Sequence, residues 1–418
     1  MNRPAAAEVG LEQIEAARAA VERVAVVTPL FNSRRLSEQV GGRVLLKAEN
    51  LQRTGSFKIR GAAAKLASLG RDAAAGIVAA SAGNHGQAAA FAAREAGVAC
   101  EVFMPDGASI AKAEATIAYG ATVHLGGDSI DECLRLASAR AAETGAHLVH
   151  PFDDPAVVAG QGSLGLELVE QVPDLALVLV PLGGGGLAAG IGCAIAGLRP
   201  DVRVIGVQAA ACAPFAASLE AGEPVAVVGS EAMALVTIAD GIAVKRPGAV
   251  TLPLVERYVH EVVAVDEEQI AEAMVLLLER SKLVVEGAGA VGAAAILAGL
   301  VTPPASGTTV VVLSGGNVDT GLLAPVIRRH ETNAGRRMVL FARIADQPGN
   351  LARLLTCIGS SGANLVTVEH LREGYDLNVR ETAVHLVLET RNREHAAAVL
   401  KAARDAGFAV EAGRRSPA

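Results

Sequence analysis

The sequence predicts an α/β protein, in which a parallel sheet covered by helices is followed by a small α+β domain. The first observation is a series of short apolar runs that alternate with alanine-rich helical stretches. Apolar strands separated by helices are typical of parallel sheets buried on both faces. The runs are RVLLKAE (43–49), GIVAA (76–80), CEVFMP (100–105), TVHLG (122–126), LALVLV (175–180), VRVIGV (202–207) and TTVVVLS (308–314).

The second observation is a change of composition at the polar, basic stretch VIRRHETNAGRR (326–337). Beyond it the patterns follow the order βαββα, which predicts a separate domain of the ferredoxin-like type. We therefore expect a first domain at 1–325, a linker at 326–336 and a second domain at 337–418. The elements of the second domain are MVLFARI (338–344), LARLLTCIGSSG (351–362), ANLVTVEHLR (363–372), TAVHLVLET (382–390) and NREHAAAVLKAARDAGF (392–408).

Composition and charge exclude several classes of function. The net charge is −7 and there is no basic stripe, so no nucleic-acid partner is expected. The uncharged runs 175–198 and 287–318 contain glycines and prolines, which favours strand, turn and helix over a membrane span. The N-terminal stretch is charged, with no apolar signal core, and the five cysteines are scattered. We expect a cytoplasmic protein without membrane contact or disulfides.

A lysine stands at an unusual place in ENLQRTGSFKIRGA (49–62). The stretch predicts a polar loop and then an alanine-rich helix capped by Ser56, with Lys58 in the first turn. Free N–H groups and the helix dipole favour anions at this end of a helix. Lys58 is therefore either a solvated helix residue or a group with a chemical role.

Three unusual segments follow predicted strands: SAGNHGQ (81–87), PLGGGGLAAG (181–190) and GGNVD (315–319). Ligands of parallel sheets bind beyond the carboxyl ends of the strands. Consecutive N–H groups of the glycines 183–186 could surround a phosphate at the start of a helix, although a flexible turn would look the same. A dinucleotide is disfavoured, because Gln208 stands where an acidic residue would bind the ribose and the G-x-G-x-x-G spacing is absent.

Pyridoxal phosphate is a cofactor whose binding requirements are matched by Lys58, the glycine run and Ser314. This cofactor requires a lysine for a Schiff base, a phosphate site and a partner for its ring nitrogen. Ser314 is neutral, so it need not keep the ring nitrogen protonated. A weaker electron sink of that kind favours expulsion of a β-leaving group.

Five motifs make a resemblance specific: KAENLQRTGSFKIRGA (47–62), SAGNHGQAAA (81–90), PLGGGGLAAGI (181–191), TIADGIAVKRPG (237–248) and LSGGNVD (313–319). Together they resemble the threonine dehydratases, or threonine ammonia-lyases, which are fold-type II pyridoxal-phosphate enzymes. The resemblance covers roughly residues 20 to 325 and implies a catalytic domain of two lobes, with the smaller lobe at about 48–155. The segments DQPGNLARLL (346–355) and GANLVTVEH (362–370) resemble an ACT domain, the amino-acid-binding module of regulated enzymes.

The resemblance implies a role for each residue of the cofactor site. Lys58 would form the Schiff base and also act as the base. Asn84 would bind the ring hydroxyl and Ser314 the ring nitrogen. Glu286 would lie near the ring, although a helix N-terminal carboxylate is an equal reading. The remaining cofactor residues would be Phe57, Gly183, Gly184, Gly185, Gly186, Leu187 and Gly241.

The resemblance also implies the substrate and the reaction. Ser81, Asn84 and His85 would bind the substrate carboxylate, with a purely structural role in the turn as the alternative for His85. L-threonine would lose water and ammonia to give 2-oxobutanoate, and L-serine would react as a side substrate. The cofactor phosphate is our hypothesis for the proton donor to the leaving hydroxyl, because the motifs offer no obvious acid.

Alternative functions remain open at this stage. They are an L-serine dehydratase, a serine racemase-like enzyme, a catalytically silent amino-acid sensor and, more weakly, a nicotinamide-dependent oxidoreductase. Related racemases carry a second serine where this chain has Ala82, and acidic metal ligands where it has Gln208 and Pro214. No metal is therefore expected. His147 and His150 would point to opposite faces of a strand, and Ser163 keeps the hydroxyl of a threonine common in the family.

The ACT resemblance implies regulation by a bound amino acid, with isoleucine as the first expectation and valine as a possible opponent. The site would lie between paired copies of a homo-oligomer, a dimer or a tetramer. A domain that only supports oligomerisation is the alternative. The expected effector residues are Asp346, Gln347, Pro348, Gly349, Asn350, Leu351 and Asn364.

Overall fold

The computed structural model describes residues 9–227, 237–372 and 377–413. The chain divides into two compact units, Met1–Asp319 and Thr320–Ala418. The first eight residues of the predicted N-terminal helical pattern lie outside the described residues.

Ten strands belong to the first unit and form two sheets within its described part. They are β1 (Leu30–Asn32), β2 (Arg43–Ala48), β3 (Ile77–Ala80), β4 (Cys100–Met104), β5 (Thr122–Leu125), β6 (His147–Leu148), β7 (Leu175–Pro181), β8 (Arg203–Ala209), β9 (Glu261–Val265) and β10 (Thr308–Leu313). The larger sheet has the order β1-β2-β10-β7-β8-β9, and only its edge pair β1–β2 is antiparallel. The smaller sheet, β5-β4-β3-β6, is entirely parallel. The predicted parallel α/β architecture is thus confirmed, with two lobes.

Helices follow most of these strands and cover the sheets. They are α1 (Leu11–Val24), α2 (Arg34–Val40), α3 (Lys58–Leu69), α4 (Asn84–Ala96), α5 (Ile110–Ala118), α6 (Ile130–Thr144), α7 (Pro155–Gln171), α8 (Gly186–Leu198), α9 (Pro214–Ala221), α10 (Thr251–Tyr258), α11 (Glu267–Leu276) and α12 (Gly287–Leu297). Short 3₁₀-helical segments occur at Glu49–Leu51, Gly70–Ala75 and Asp240–Ile242, and a π-helical segment occurs at Leu277–Ser281.

The helix α3 packs closely on α7 because glycines stand at the crossing. A Cβ atom on Gly160 would lie 2.5 Å from the carbonyl oxygen of Arg60, and one on Gly61 would lie 2.3 Å from Gln161 Nε2. A side chain at either position would push the helices apart. This close packing fixes the helix whose first residue is Lys58.

The second unit begins with α13 (Thr320–Asn333), so residues 326–333 of the expected linker are helical and the division of the chain falls after Asp319. An antiparallel sheet follows in the order β12-β13-β11-β14. Its elements are β11 (Arg337–Ala345), α14 (Asn350–Ser360), β12 (Asn364–Leu371), β13 (Glu381–Glu389), α15 (Arg393–Asp405) and β14 (Ala409–Ala412). The pattern is the expected ferredoxin-like one, completed by β14, which the sequence analysis missed.

Candidate active site

A cavity of about 370 Å³ lies in the first unit, at the carboxyl ends of strands from both sheets. Segments after β3, β6, β7 and β10 reach it, as expected for parallel sheets. The structure brings together every residue predicted for the cofactor and the substrate: Phe57, Lys58, Ser81, Asn84, His85, Gly183, Gly184, Gly185, Gly186, Leu187, Gly241, Glu286 and Ser314 all line this cavity.

Lys58 is the first residue of α3, but the cap differs from the prediction. Phe57 occupies the N-cap position, and no side chain caps the helix. Ser56 instead pairs through its backbone with Gly315, and its buried hydroxyl has no hydrogen-bond partner among the described atoms. The N–H of Phe57 donates to the carbonyl of Ser314 at 3.0 Å. The expected Ser56 cap is therefore wrong, because bridging to the loop after β10 takes this segment away from cap geometry.

The Lys58 side chain points into the cavity. Its Nζ atom donates a 2.7 Å hydrogen bond to the carbonyl oxygen of Pro151. Burial lowers the pKa of Lys58 to about 8, and the nearby carboxyl of Glu286 only partly opposes this shift. A neutral amine is thus accessible near neutral pH, which a nucleophile or base requires.

The glycine run fits a phosphate. Gly185 has φ +98°, a conformation that favours glycine, and α8 begins at the next residue. The first-turn N–H groups of α8 have no intrahelical acceptor and are available to an anion. The walls leave no room for side chains: a Cβ on Gly184 would lie 2.3 Å from the Phe152 ring, and one on Gly183 would lie 2.9 Å from the backbone of Ile242.

An amide and a carboxyl face each other across the cavity. Asn84 Nδ2 donates to Glu286 Oε1 at 2.8 Å, and Asn317 Nδ2 donates to Asn84 Oδ1 at 2.8 Å. Burial, together with the charge of Asp240, raises the pKa of Glu286 to about 7. Glu286 is the N-cap of α12 but makes no side-chain cap bond. Its carboxyl is therefore directed to the cavity rather than to the helix end.

The His85 ring is held by the backbone of the segment that follows β6. Its Nε2 atom lies 2.7 Å from the carbonyl oxygen of Val149. Burial and the charge of Lys58 lower the pKa of His85 to about 3, so the ring is neutral. With its proton on Nε2, donated to a carbonyl, Nδ1 is an acceptor and cannot bind a carboxylate. The geometry therefore supports the structural role in the turn for His85. The Ser81 hydroxyl accepts a hydrogen bond from the N–H of Gly83 at 3.0 Å.

Sequence reasoning missed several residues of the cavity wall. Pro151 and Phe152 follow a strand of two residues, which is too short to give a periodic signal. Asn317 lies inside the quoted motif LSGGNVD, yet its bond to Asn84 depends on the tertiary fold. Lys112 of α5 forms an ion pair with Asp240, two residues that the chain separates widely.

A buried ionic cluster lies behind the lysine helix. Arg60 donates to both carboxylate oxygens of Glu49 and to Glu167, and Lys47 Nζ donates to Glu167 at 2.7 Å. The Arg60 and Glu49 side chains are fully buried. Breaking one partner of such a cluster leaves an uncompensated buried charge. The cluster thereby ties α3 to β2 and α7.

The residues considered for a metal do not converge. Gln208 accepts from the N–H of Phe215 through Oε1 at 3.3 Å, and Pro214 begins α9. His147 lies in β6, whereas His150 lines the cavity and accepts from the N–H of Asp153 at 2.8 Å. Within the described ranges, no three or more His, Cys, Asp or Glu side chains are grouped so as to hold a metal. In those ranges, no helix combines the length and apolar character needed to cross a membrane.

The expected effector residues lie in two places of the second unit. Residues 346–351 follow the end of β11 and begin α14, where Asn350 Nδ2 donates to the carbonyl of Ala345. Asn364 of β12 pairs with Glu389 of β13, and Glu389 pairs with Arg337 of β11. Arg337 is the first residue of the nine-residue strand β11, whereas residues 346–351 follow its last residue. At about 3.3 Å per residue, the two parts are roughly 25 Å apart within one chain. One copy alone does not bring them together.

Several known proteins are similar to this chain over most of its length. A sequence model of the family described as "Pyridoxal-phosphate dependent enzyme" matches residues 21–315. An L-threonine ammonia-lyase of Geobacter sulfurreducens is 48% identical over 92% of this chain and 94% of its own length. One from Thermotoga maritima is 44% identical over 93% of this chain and 95% of its own length. The crystal structure of a threonine deaminase from T.th. has a TM-score of 0.69 and 40% identity, covering 74% of this chain and 99% of that chain.

Proposed function

Since this chain belongs to the family of pyridoxal-phosphate-dependent enzymes, we propose that it is an L-threonine ammonia-lyase, which converts L-threonine to 2-oxobutanoate and ammonia. The observation that carries the proposal is the arrangement of Lys58, with its lowered pKa, and the glycine loop around one cavity. L-serine should react as a side substrate, because a pocket distinguishes one methyl group by only about 1–3 kcal/mol.

The residues present fit the cofactor. The N–H groups of the glycine loop and of Leu187 would hold its phosphate, Lys58 would bind it covalently, and Asn84 and Ser314 would bind its ring. Phe57 and Gly241 would pack beside the ring, with Glu286 at its edge. Pyridoxal phosphate supplies an electron sink that weakens the bond between Cα and its hydrogen.

Lys58 is the group that moves the proton. Its amine, once free, takes the proton from Cα of the substrate, and the β-hydroxyl leaves as water with a proton that the cofactor phosphate would supply. The carbonyl of Pro151 orients the amine by accepting one of its hydrogens, which leaves the lone pair free. Ser81, Asn84 and the N–H groups at the start of α4 would hold the substrate carboxylate.

Racemisation is the less favoured reaction for this site. Ala82 lines the cavity next to Ser81 and carries no proton to give or take. A second acid on the opposite face of Cα is therefore missing from this position.

We further propose that the second unit binds a branched-chain amino acid, isoleucine first, between two copies of the chain. The separation of 346–351 from Asn364 supports a site to which each copy contributes one part. The edge strand β12 exposes Leu365 (38%) and Val366 (54%), apolar side chains that a second copy could cover.

Two experiments test these proposals. Purified protein with bound cofactor should release 2-oxobutanoate from L-threonine without forming D-allo-threonine, the epimer at Cα; D-allo-threonine formation would indicate a racemase. Isoleucine should change the rate for the full chain but not for Asn364→Ala, nor for a chain that lacks residues 336–418. A truncated chain that still responds would place the effector site elsewhere.

A further inference from the structure

An ion pair joins the two lobes at the cavity. Lys112, on α5 of the smaller lobe, has its Nζ atom 2.8 Å from Asp240 Oδ2, in the turn Asp240–Ile242 of the larger lobe. Both residues line the cavity. The Lys112 side chain is 18% exposed and that of Asp240 is 57% exposed. The lysine is thus held inside the cavity by a carboxylate that is largely in water.

The Lys112 ammonium lies beside the turn that begins α4. A Cβ atom on Gly83 would be 3.3 Å from Lys112 Cδ and 3.6 Å from Lys112 Nζ. Gly83 is the N-cap of α4, so the free N–H groups of this helix start lie next to the ammonium. A cation and a helix N-terminus at one place together favour a carboxylate.

Neither His85 nor Lys58, the basic groups nearest the start of α4 besides Lys112, is available for this role. The His85 ring is neutral and donates its hydrogen to a carbonyl, so it cannot pair with the substrate carboxylate. Lys58 would bind the cofactor and move the Cα proton. Burial and the Asp240 charge raise the pKa of Glu286, whereas the Lys112 charge lowers it, so both charges lie near this carboxyl of the cavity.

We propose that Lys112 is a positioning residue that pairs with the α-carboxylate of the amino-acid substrate, and that Asp240 holds it in place until substrate arrives. This inference rests on the proposed function of the same cavity. The substrate carboxylate replaces Asp240 as the partner of Lys112, and the exposed Asp240 turns to water. No bond is made or broken in this exchange.

The test compares Lys112→Met with Asp240→Asn in the holoenzyme. The probes are L-alanine, which has the carboxylate but no β-leaving group, and 1-amino-2-propanol, which is threonine without its carboxylate. Binding is followed by the absorbance change of the cofactor. Lys112→Met should weaken L-alanine binding roughly tenfold or more and raise the KM for L-threonine with little change in kcat. Binding of 1-amino-2-propanol should not change.

Asp240→Asn should bind L-alanine as tightly as the wild type or more tightly, because Lys112 loses its competitor. Lys65→Met, which removes another partly buried lysine with an aspartate partner but lies outside the cavity lining, is the matched control and should bind like the wild type. Lys112→Arg should retain most of the binding, which guards against a folding defect.

Equal weakening by Lys112→Met and Asp240→Asn would mean that the pair only joins the lobes, and would overturn the proposal. Unchanged L-alanine binding in Lys112→Met would overturn it as well. Failure of the wild type to form 2-oxobutanoate would count against the proposed function alone, since L-alanine binding is measured without turnover.

Discussion

The side-chain nitrogen of Lys58 lies 2.7 Å from the carbonyl oxygen of Pro151 and donates a hydrogen bond to it. The contact joins the first residue of α3 to the segment that follows β6, the last strand of the smaller sheet. Because the amine is buried and its pKa is lowered to about 8, this carbonyl fixes where its lone pair points. The start of a helix disfavours a charged lysine, but a lysine with a lowered pKa can be neutral there, and a neutral amine is reactive.

The buried carboxyl of Glu286 should make stability depend on pH. Its pKa is raised from 4.5 to about 7, so between these values the unfolded chain binds fewer protons than the folded chain. Stability therefore falls as pH rises through this interval, by at most about 3 kcal/mol. Glu286→Gln, in cofactor-free protein, should show a Tm that rises relative to the wild type between pH 5 and 8.

The control for this prediction is Glu220→Gln, an exposed carboxylate on α9. Its Tm difference from the wild type should stay constant with pH. A constant difference for Glu286→Gln as well would contradict the raised pKa.

The glycine loop should not tolerate a side chain. In Gly184→Ala the new methyl group would overlap the Phe152 ring, at 2.3 Å, and displace the loop. Affinity for pyridoxal phosphate should fall at least about tenfold, as measured by titration of the apoprotein. Gly107→Ala, where nothing lies within 4 Å, should bind as the wild type does. Equal affinities for the two variants would remove the loop from the phosphate site.

The ionic cluster behind α3 should be costly to break. Arg60→Met leaves Glu49 and Glu167 without the guanidinium that bonds both, and should lower the free energy of unfolding by about 3–5 kcal/mol. Urea unfolding of the full chain measures the loss. Arg34→Met breaks an exposed pair with Glu38 and should have no measurable effect. A small loss in Arg60→Met would mean that the cluster does not hold α3 in place.

The sequence was most informative where local pattern and chemistry coincide. All seven predicted strands of the first unit are present, because each is an apolar run between turn residues. The missed strands β1 and β6 have only three and two residues. The strand β9 lies at a sheet edge and only its last residue is buried, and β14 has four residues, three of them exposed. Such short or edge strands exist through their pairing partners rather than through their own pattern.

The site was predicted as a set of residues, but not as a set of contacts. The family resemblance assigned Lys58, Asn84, Glu286 and Ser314 to one site, and all four line the same cavity. The motifs do not show that the carbonyl of Val149 accepts a hydrogen bond from His85. Nor do they show that Ser56 bridges to Gly315 instead of capping the helix. These details depend on backbone groups from distant segments, which a motif in one segment does not specify.

The most direct test of the account is the release of 2-oxobutanoate from L-threonine by the wild type and by Lys58→Ala, with Lys65→Ala as the control on the same helix. Lys65 pairs with Asp154 and is not among the residues that line the cavity. We expect Lys58→Ala to lose more than about a thousandfold in rate while remaining folded, and Lys65→Ala to keep most of the activity. Comparable rates in the wild type and Lys58→Ala, or no 2-oxobutanoate from wild-type protein that holds its cofactor, would contradict the central claim.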